Sequence, residues 1–308
     1  MRFHALLVVR DECDIVGQST VAALQWADAI YVYDTGSTDG TWDILQELAR
    51  QDSRIVLFRH EPVWFKNELR AVLFNRYRER AEPGDWFATL DADEFYHVAP
   101  PLFVQKHLRT WETEVCYQLY DFKLTKLESE RLSSREAIVA ERAIPIEFRR
   151  RHFIPLRYAE PRLFRYRPTM QWVPPKAPYN MGCIARERIP IRHYSNRDPI
   201  QMETKYRLRL PTRPYVGLSS SPHWQVTDYV TKLVDPANPE LEYWHPGTEL
   251  PSYRWTNHLA SFPKQVLQRS VHFALLPVLD RLRPNFPAEY QAEAIAPEIN
   301  EKIRVEPL

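Results

Sequence analysis

Asp85-Trp86-Phe87-Ala88-Thr89-Leu90-Asp91-Ala92-Asp93-Glu94-Phe95 carries an uncharged, largely apolar run straight into three carboxylates within four residues. Trp86 to Leu90, preceded by the Pro83-Gly84 turn, reads as a buried strand. Carboxylates spaced D-x-D at a strand's carboxyl end offer hard oxygen ligands to a divalent cation, and Mg²⁺ or Mn²⁺ commonly completes its shell with phosphate and water. Three neighbouring acids repel one another until a positive charge arrives. The same spacing occurs in ordinary surface loops, so its meaning depends on the surroundings.

Upstream, short apolar runs alternate with amphipathic segments. Phe3 to Val9, Ala29 to Tyr33 and Arg54 to Phe58 read as strands; Ile15 to Trp26, Thr41 to Arg50 and Glu68 to Arg80 read as helices, the first with Asp14 available as N-cap. This rhythm predicts an α/β domain with a mostly parallel sheet flanked by helices, in which ligands bind outside the carboxyl ends of the strands. Asp34, ending the second strand, shares that edge with Asp91 and Asp93. Downstream the pattern weakens. Val115 to Leu124, Arg162 to Arg167 and Ile189 to His193 read as strands, and Pro199 to Leu210 and Gln265 to Leu282 as helices. Residues 211 to 263 form a less regular, aromatic- and Pro-rich region. The resulting division is 1–115, a nucleotide-binding α/β half; 116–213, an acceptor- and diphosphate-binding half of the same domain; and 214–308, a C-terminal loop-rich and helical extension.

The chain has 41 Lys+Arg and 40 Asp+Glu, yet charge is unevenly placed: residues 1 to 120 hold 12 basic and 19 acidic side chains, residues 121 to 213 hold 21 and 10. An acidic half joined to a basic middle fits a metal-binding face opposed by an anion-binding one; two solvated surfaces of different charge habit are the alternative. With 26 prolines and only 7 glycines among 308 residues, the pattern excludes collagen-like, coiled-coil and globally disordered chains. Three scattered cysteines, Cys13, Cys116 and Cys183, form no ligand pair and fit a reduced, cytoplasmic protein. No apolar run reaches the length of a membrane span or a secretory core.

Two further segments carry chemistry. Asp34-Thr35-Gly36-Ser37-Thr38-Asp39-Gly40 places two of the seven glycines within five residues, between strand and helix. Such glycines serve positive φ or close approach to a ligand; an ordinary turn capped by Ser37, Thr38 or Asp39 is the other reading. In Ile191-Arg192-His193-Tyr194-Ser195-Asn196-Arg197-Asp198-Pro199, a strand-end His precedes a helix on which Gln201, Lys205 and Arg209 share one face. A neutral imidazole can ligate a metal ion, and Lys and Arg can neutralise a leaving phosphate. A capped basic helix with a structural His is the alternative.

Together, Leu7-Val8-Val9-Arg10-Asp11-Glu12, the Asp34 segment and Leu90-Asp91-Ala92-Asp93-Glu94-Phe95 resemble the family 2 glycosyltransferases of the GT-A (Rossmann-like) fold over roughly the first 100 residues. The resemblance implies a metal-dependent transferase that moves a sugar from a nucleotide-diphosphate sugar to an acceptor hydroxyl, by inverting displacement, in bacterial surface glycan or glycoconjugate synthesis. It implies donor binding by Val9, Arg10, Glu12, Asp34, Gly36, Ser37, Asp39, Arg70, Asp91, Ala92, Arg197, Lys205 and Arg209. It implies Mn²⁺ or Mg²⁺ on Asp91, Asp93 and His193. Relatives often carry a second Asp where this chain has Thr35, which leaves the base contacts open.

The catalytic base is not marked by a motif, because Gln171-Trp172-Val173-Pro174-Pro175-Lys176 lacks the acid that relatives carry after an Arg162-Leu163-Phe164-Arg165-like strand, which leaves a retaining outcome or a changed substrate open beside the inverting one. Glu160 and Asp121 are the candidates by position. The expected acceptor is a glycan, a lipid-linked compound or another hydroxyl, with no nucleic acid. Trp172, Tyr179, Trp224, Tyr243, Trp244, Tyr253 and Trp255 offer either an acceptor platform or core anchors. Val266 to Leu282, with Lys264, Arg269, Arg281 and Arg283, would suit contact with the inner face of a membrane. A nucleotidyltransferase on a similar sheet and a non-enzymatic binder of anionic polymers are the competing functions. The first would need a Gly-rich phosphate loop that Val9-Arg10-Asp11-Glu12-Cys13 does not supply, and the second leaves the acidic clusters without a role.

Overall fold

The computed structural model describes residues 1–66, 68–170, 172, 178, 181–212, 229–253, 262–275, 278, 282 and 292–305. Its elements in chain order are β1 (Phe3–Val9), α1 (Val16–Leu24), β2 (Ala29–Asp34), α2 (Thr41–Gln51), β3 (Ile55–His60), α3 (Glu68–Tyr77), β4 (Trp86–Leu90), β5 (Glu94–Tyr96) and α4 (Pro100–His107). There follow β6 (Glu112–Phe122), α5 (Lys126–Arg131), α6 (Arg135–Arg142), α7 (Ile146–Arg149), β7 (His152–Leu156), β8 (Pro161–Arg165), β9 (Cys183–Ile184) and β10 (Ile189–His193). The last are α8 (Pro199–Thr212), β11 (Glu242–Tyr243), α9 (Phe262–Ala274) and α10 (Pro297–Lys302).

Every residue of β1 and β4 is buried, because helices cover both faces of the sheet and leave no polar side to alternate with. Leu6 and Val8 pack with Tyr31, Phe74 and Phe87 in one core; Ala5, Leu7 and Val9 pack with Val16, Val32 and Leu45 in the other. β3, β2, β1 and β4 lie side by side and parallel. β8 then enters antiparallel between β4 and β6. This mixed α/β sheet flanked by helices is the expected GT-A, Rossmann-like class.

β6 is the strand that builds the site. Its first half pairs with β8 and β9, and its second half leaves them to pair with β7 and β10. The boundary drawn at residue 115 therefore falls inside one continuous strand. β10 runs parallel to β6 and antiparallel to β5, with His193 opposite both Asp121 and Glu94. The short β5, not evident in the sequence pattern, is thus what returns the chain after Asp93 to lie beside His193.

Several local expectations change. Asp14 does not cap α1, whose N-cap is Ile15 without a side-chain bond; its carboxylate is engaged elsewhere. Gly36 has φ +90, and a Cβ there would lie 2.7 Å from Pro62 Cα. Its close approach is therefore to this chain's own backbone. Trp172 and Trp244 are buried core residues, whereas Tyr243 is exposed; Tyr179, Trp224, Trp255, Arg281 and Arg283 lie outside the described residues. α9 docks through Gln265 on Glu112 Oε1 and the Ile184 carbonyl, both at 3.2 Å, and exposes Val266 and Leu267. No helix among the described residues is long and apolar enough to cross a membrane.

Candidate active site

The carboxyl ends of β1, β2, β4 and β10 and the first turns of α8 converge. Asp93, just past β4, is nearly buried. Its Oδ2 faces Lys205 Nζ at 3.0 Å, His193 Nε2 at 3.6 Å and Arg197 Nη1 at 3.9 Å. Burial alone would raise the Asp93 pKa, but Lys205, His193 and Arg197 together hold it well below the usual carboxylate range. The mirror effect acts on His193. Burial would lower its pKa, yet Asp93 and Asp121 outweigh that and raise it to about 10. Asp121 Oδ1 lies 3.1 Å from the other ring nitrogen, Nδ1, an ion pair that holds the ring from its second side.

Asp91 points the other way. Arg70 and Arg162 hold its two oxygens, Arg162 at 3.3 Å. Arg162 also donates to Glu94 Oε1 at 2.7 Å and stacks on the Tyr117 ring, 4.7 Å from its centre. Asp91 and Asp93 therefore stand with different cations rather than sharing one position. Ala92 between them and Val9 at the end of β1 are buried.

The sequence profile of glycosyl transferase family 2 matches residues 6–183, more than half the chain, from the middle of β1 to the start of β9. The chain belongs to glycosyl transferase family 2. Among solved structures, this family 2 chain is similar to the mannosyltransferase PcManGT from Pyrobaculum calidifontis in complex with GDP-Man and Mn²⁺, at 15% identity and a TM-score of 0.30. The similarity covers 41% of this chain and 36% of that one, so the chain spans about a third of that structure's length. No curated protein matches it.

Around Asp34 the family 2 chain builds a tight anion turn. Asp34 Oδ1 accepts the backbone N–H groups of Gly36 and Ser37 at 2.9 and 2.7 Å, while its buried Oδ2 has no hydrogen-bond partner among the described residues. Burial pushes its pKa up despite those bonds. Ser37 and Asp39, expected to face the nucleotide, instead hold the β1 loop. Ser37 Oγ accepts Asp11 N–H at 2.9 Å; Asp39 accepts Cys13 N–H and Thr41 N–H, both at 2.9 Å. Arg10 reaches the Thr35 carbonyl at 2.7 Å.

Arg197, expected on the leaving phosphate, is fully buried. It donates to Asp14, Glu12 and the Tyr194 carbonyl, which makes it a strut between loops. Asp121, a base candidate, is bonded to Lys123 and to Ser195 Oγ as well as paired with His193. Glu160 keeps 47% of its side chain exposed, with Arg162 at 3.9 Å. Arg209 lies on α8, but its side chain is outside what is described.

Three residues were missed from the sequence. Arg162 was quoted only as part of a strand motif. Glu94 was read as a third repelling acid and Asp14 as a cap. The available signal for Arg162 was its place beside Leu163 and Phe164 in a strand read as part of the sheet, where a buried charge requires a partner.

Proposed function

We propose that the chain transfers a sugar from a nucleoside-diphosphate sugar to an acceptor hydroxyl, by metal-dependent inverting displacement. One observation carries the reading: at the carboxyl edge of a family 2 sheet, Asp93, His193 and Lys205 arrive from separate elements around a single carboxylate oxygen. Asp93 Oδ2 and His193 Nε2 are 3.6 Å apart, a span that two ligands of one ion cover with bonds of about 2.1 Å. Among the described residues no group of three or more His, Cys, Asp or Glu is placed to hold a metal. The pair of Asp93 and His193 would therefore hold Mn²⁺ or Mg²⁺ only with the rest of its shell taken from phosphate and water. When bound, the cation supplies positive charge to the departing diphosphate.

The chain's own residues do the rest. Lys205 adds a movable charge for the diphosphate. The unpartnered Oδ2 of Asp34 accepts a donor group of the nucleoside. Arg70 and Arg162 pin Asp91, setting the floor on which the donor lies. Glu160, half exposed beside Arg162, takes the proton of the acceptor hydroxyl. The acceptor is a glycan, a lipid-linked carrier or another hydroxyl compound. Val266 and Leu267, exposed beside Lys264 and Arg269 on α9, suit contact with the cytoplasmic face of a membrane that presents such carriers.

Thermal melting of the full chain with UDP or GDP, with and without Mn²⁺, tests the reading. A rise in Tm that requires nucleotide and metal together supports it; no shift with any pairing sinks it.

A further inference from the structure

We propose that Lys205 is the resident counter-ion of Asp93, holding the position a divalent cation takes and yielding it only when a diphosphate offers the ammonium another partner. The inference rests on the functional reading above and adds to it an obligatory coupling between metal and nucleotide.

Asp93 Oδ2 already faces three cationic side chains of this chain, Lys205, His193 and Arg197. A divalent ion brought to the same oxygen, away from water, meets their combined repulsion. One of them has to move, and the geometry selects which. Arg197 is fully buried and fixed by Asp14, by Glu12 and by the Tyr194 carbonyl. His193 is held in β10 between Asp93 and Asp121; as a ligand of the ion it is the neutral imidazole and stays in place, so the repulsion left to relieve is that of Lys205 and Arg197. Lys205 is different. Its side chain is 20% exposed, hangs from α8 on a four-carbon stem, and has as its one other hydrogen-bond partner among the described residues the Ser195 carbonyl at 3.4 Å. It also borders a cavity of about 50 Å³ beside Glu12 and Asp14, so its head can shift without displacing packed atoms.

An ammonium leaving a buried carboxylate needs another anion. The diphosphate of the donor supplies phosphate oxygens, which Lys binds as a point charge without a fixed fork. Metal alone leaves the ammonium Glu12, a carboxylate that Arg197 already holds, whereas metal with diphosphate offers it an anion of its own. Each ligand therefore strengthens the other by the same factor.

The test is Mn²⁺ titration of the full chain, followed by the electron paramagnetic resonance signal of free Mn²⁺, with and without UDP or GDP. Wild type, Lys205→Met, Lys205→Gln and Lys205→Arg are compared. In wild type, nucleotide should tighten Mn²⁺ binding by at least about tenfold. Lys205→Met and Lys205→Gln should tighten binding of Mn²⁺ alone by about tenfold and shrink the nucleotide enhancement by a similar factor. Lys205→Arg, which keeps the charge, should stay near wild type. Agreement between Met and Gln separates loss of charge from a packing defect peculiar to one side chain. Unchanged or weaker binding of Mn²⁺ alone in both neutral variants, with the nucleotide enhancement intact, overturns the counter-ion role and leaves the transferase reading standing. Failure of every form to bind Mn²⁺ with either nucleotide overturns both.

Discussion

Arg197 Nε and Nη2 donate to the two oxygens of Asp14 at 2.6 and 2.8 Å, joining the loop after β10 to the loop after β1. The fork-to-fork geometry is the strong form of a charge-assisted pair. It explains why Asp14, although burial pushes its pKa upward, is drawn down to about 2 by Arg197, with Arg142 and Arg149 helping. Two segments far apart in sequence are thereby fixed against each other, and Asp93 lies between them.

Replacing this guanidinium should therefore cost stability as well as function. Arg197→Met leaves Asp14 and Glu12 as carboxylates without their main counter-charge, a loss of about 3–5 kcal/mol for a broken buried pair. Chemical denaturation should show the midpoint falling accordingly, and Arg197→Met with Asp14→Asn should recover part of the loss. A single variant within 1 kcal/mol of wild type would contradict the strut role.

The two base candidates make opposite predictions. Glu160 is half exposed, and its ion pair is a long one, so Glu160→Gln should leave Tm and nucleotide affinity unchanged while lowering sugar transfer by about 10²-fold or more. Asp121 is buried and engaged with Lys123, Ser195 and His193. Asp121→Asn should therefore lower Tm together with turnover. Nucleoside diphosphate release and melting, measured side by side, decide between them. Full turnover in Glu160→Gln removes it from the mechanism.

Glu114 on β6 supplies a pH dependence. Burial alone raises its pKa to about 7 from the ordinary 4.5. Between those values the folded chain holds a proton that the unfolded chain has released. Stability from this group is thus complete below about pH 4.5 and is lost as pH rises through about 7. Glu114→Gln should remove this contribution, making the variant more stable than wild type at pH 8 by on the order of 2 kcal/mol. Denaturation at pH 5 and pH 8 reads the difference; an equal shift at both values would point to packing instead.

What could be read from the sequence divides along physical lines. β1 and β4 were legible to the residue because each is a short apolar run, covered on both faces, that stops at a charge; β10, half-covered and ending in Arg192-His193, was legible by the alternation of its buried Ile189 and Ile191. The same edge rule put Asp34 and Asp93 at the carboxyl ends of parallel strands. β5, β7 and β9 were not legible: they are two to five residues long, and their pairing is set by long-range register rather than by local pattern. The pairing of charges was hidden for a related reason. Asp39, Arg197 and Asp121 were the right residue types at the right edge, but which carboxylate takes which cation depends on distances that spacing does not encode. Arg162 shows the reverse, a residue visible in its motif whose bonds to Asp91 and Glu94 only the fold reveals.

The C-terminal segment straps the same edge. Thr38 Oγ1 accepts the Val305 N–H at 2.8 Å and donates to the Val305 carbonyl at 3.1 Å. Arg10 donates to Asn300 at 3.3 Å, and Ile295 and Ile303 pack on Trp64. Val305 borders the small cavity that also touches Glu12 and Lys205, so loosening the strap exposes the edge where the donor is proposed to bind. Thr38→Val keeps the side chain's shape and removes both hydroxyl bonds, worth about 1–2 kcal/mol together. Hydrogen exchange followed by mass spectrometry should then show residues 292–305 exchanging about tenfold faster, with β1 through β4 unchanged. Equal acceleration across the central strands would mean that the hydroxyl supports the whole fold, and unchanged exchange at 292–305 would mean that the Trp64 cluster holds the strap without it.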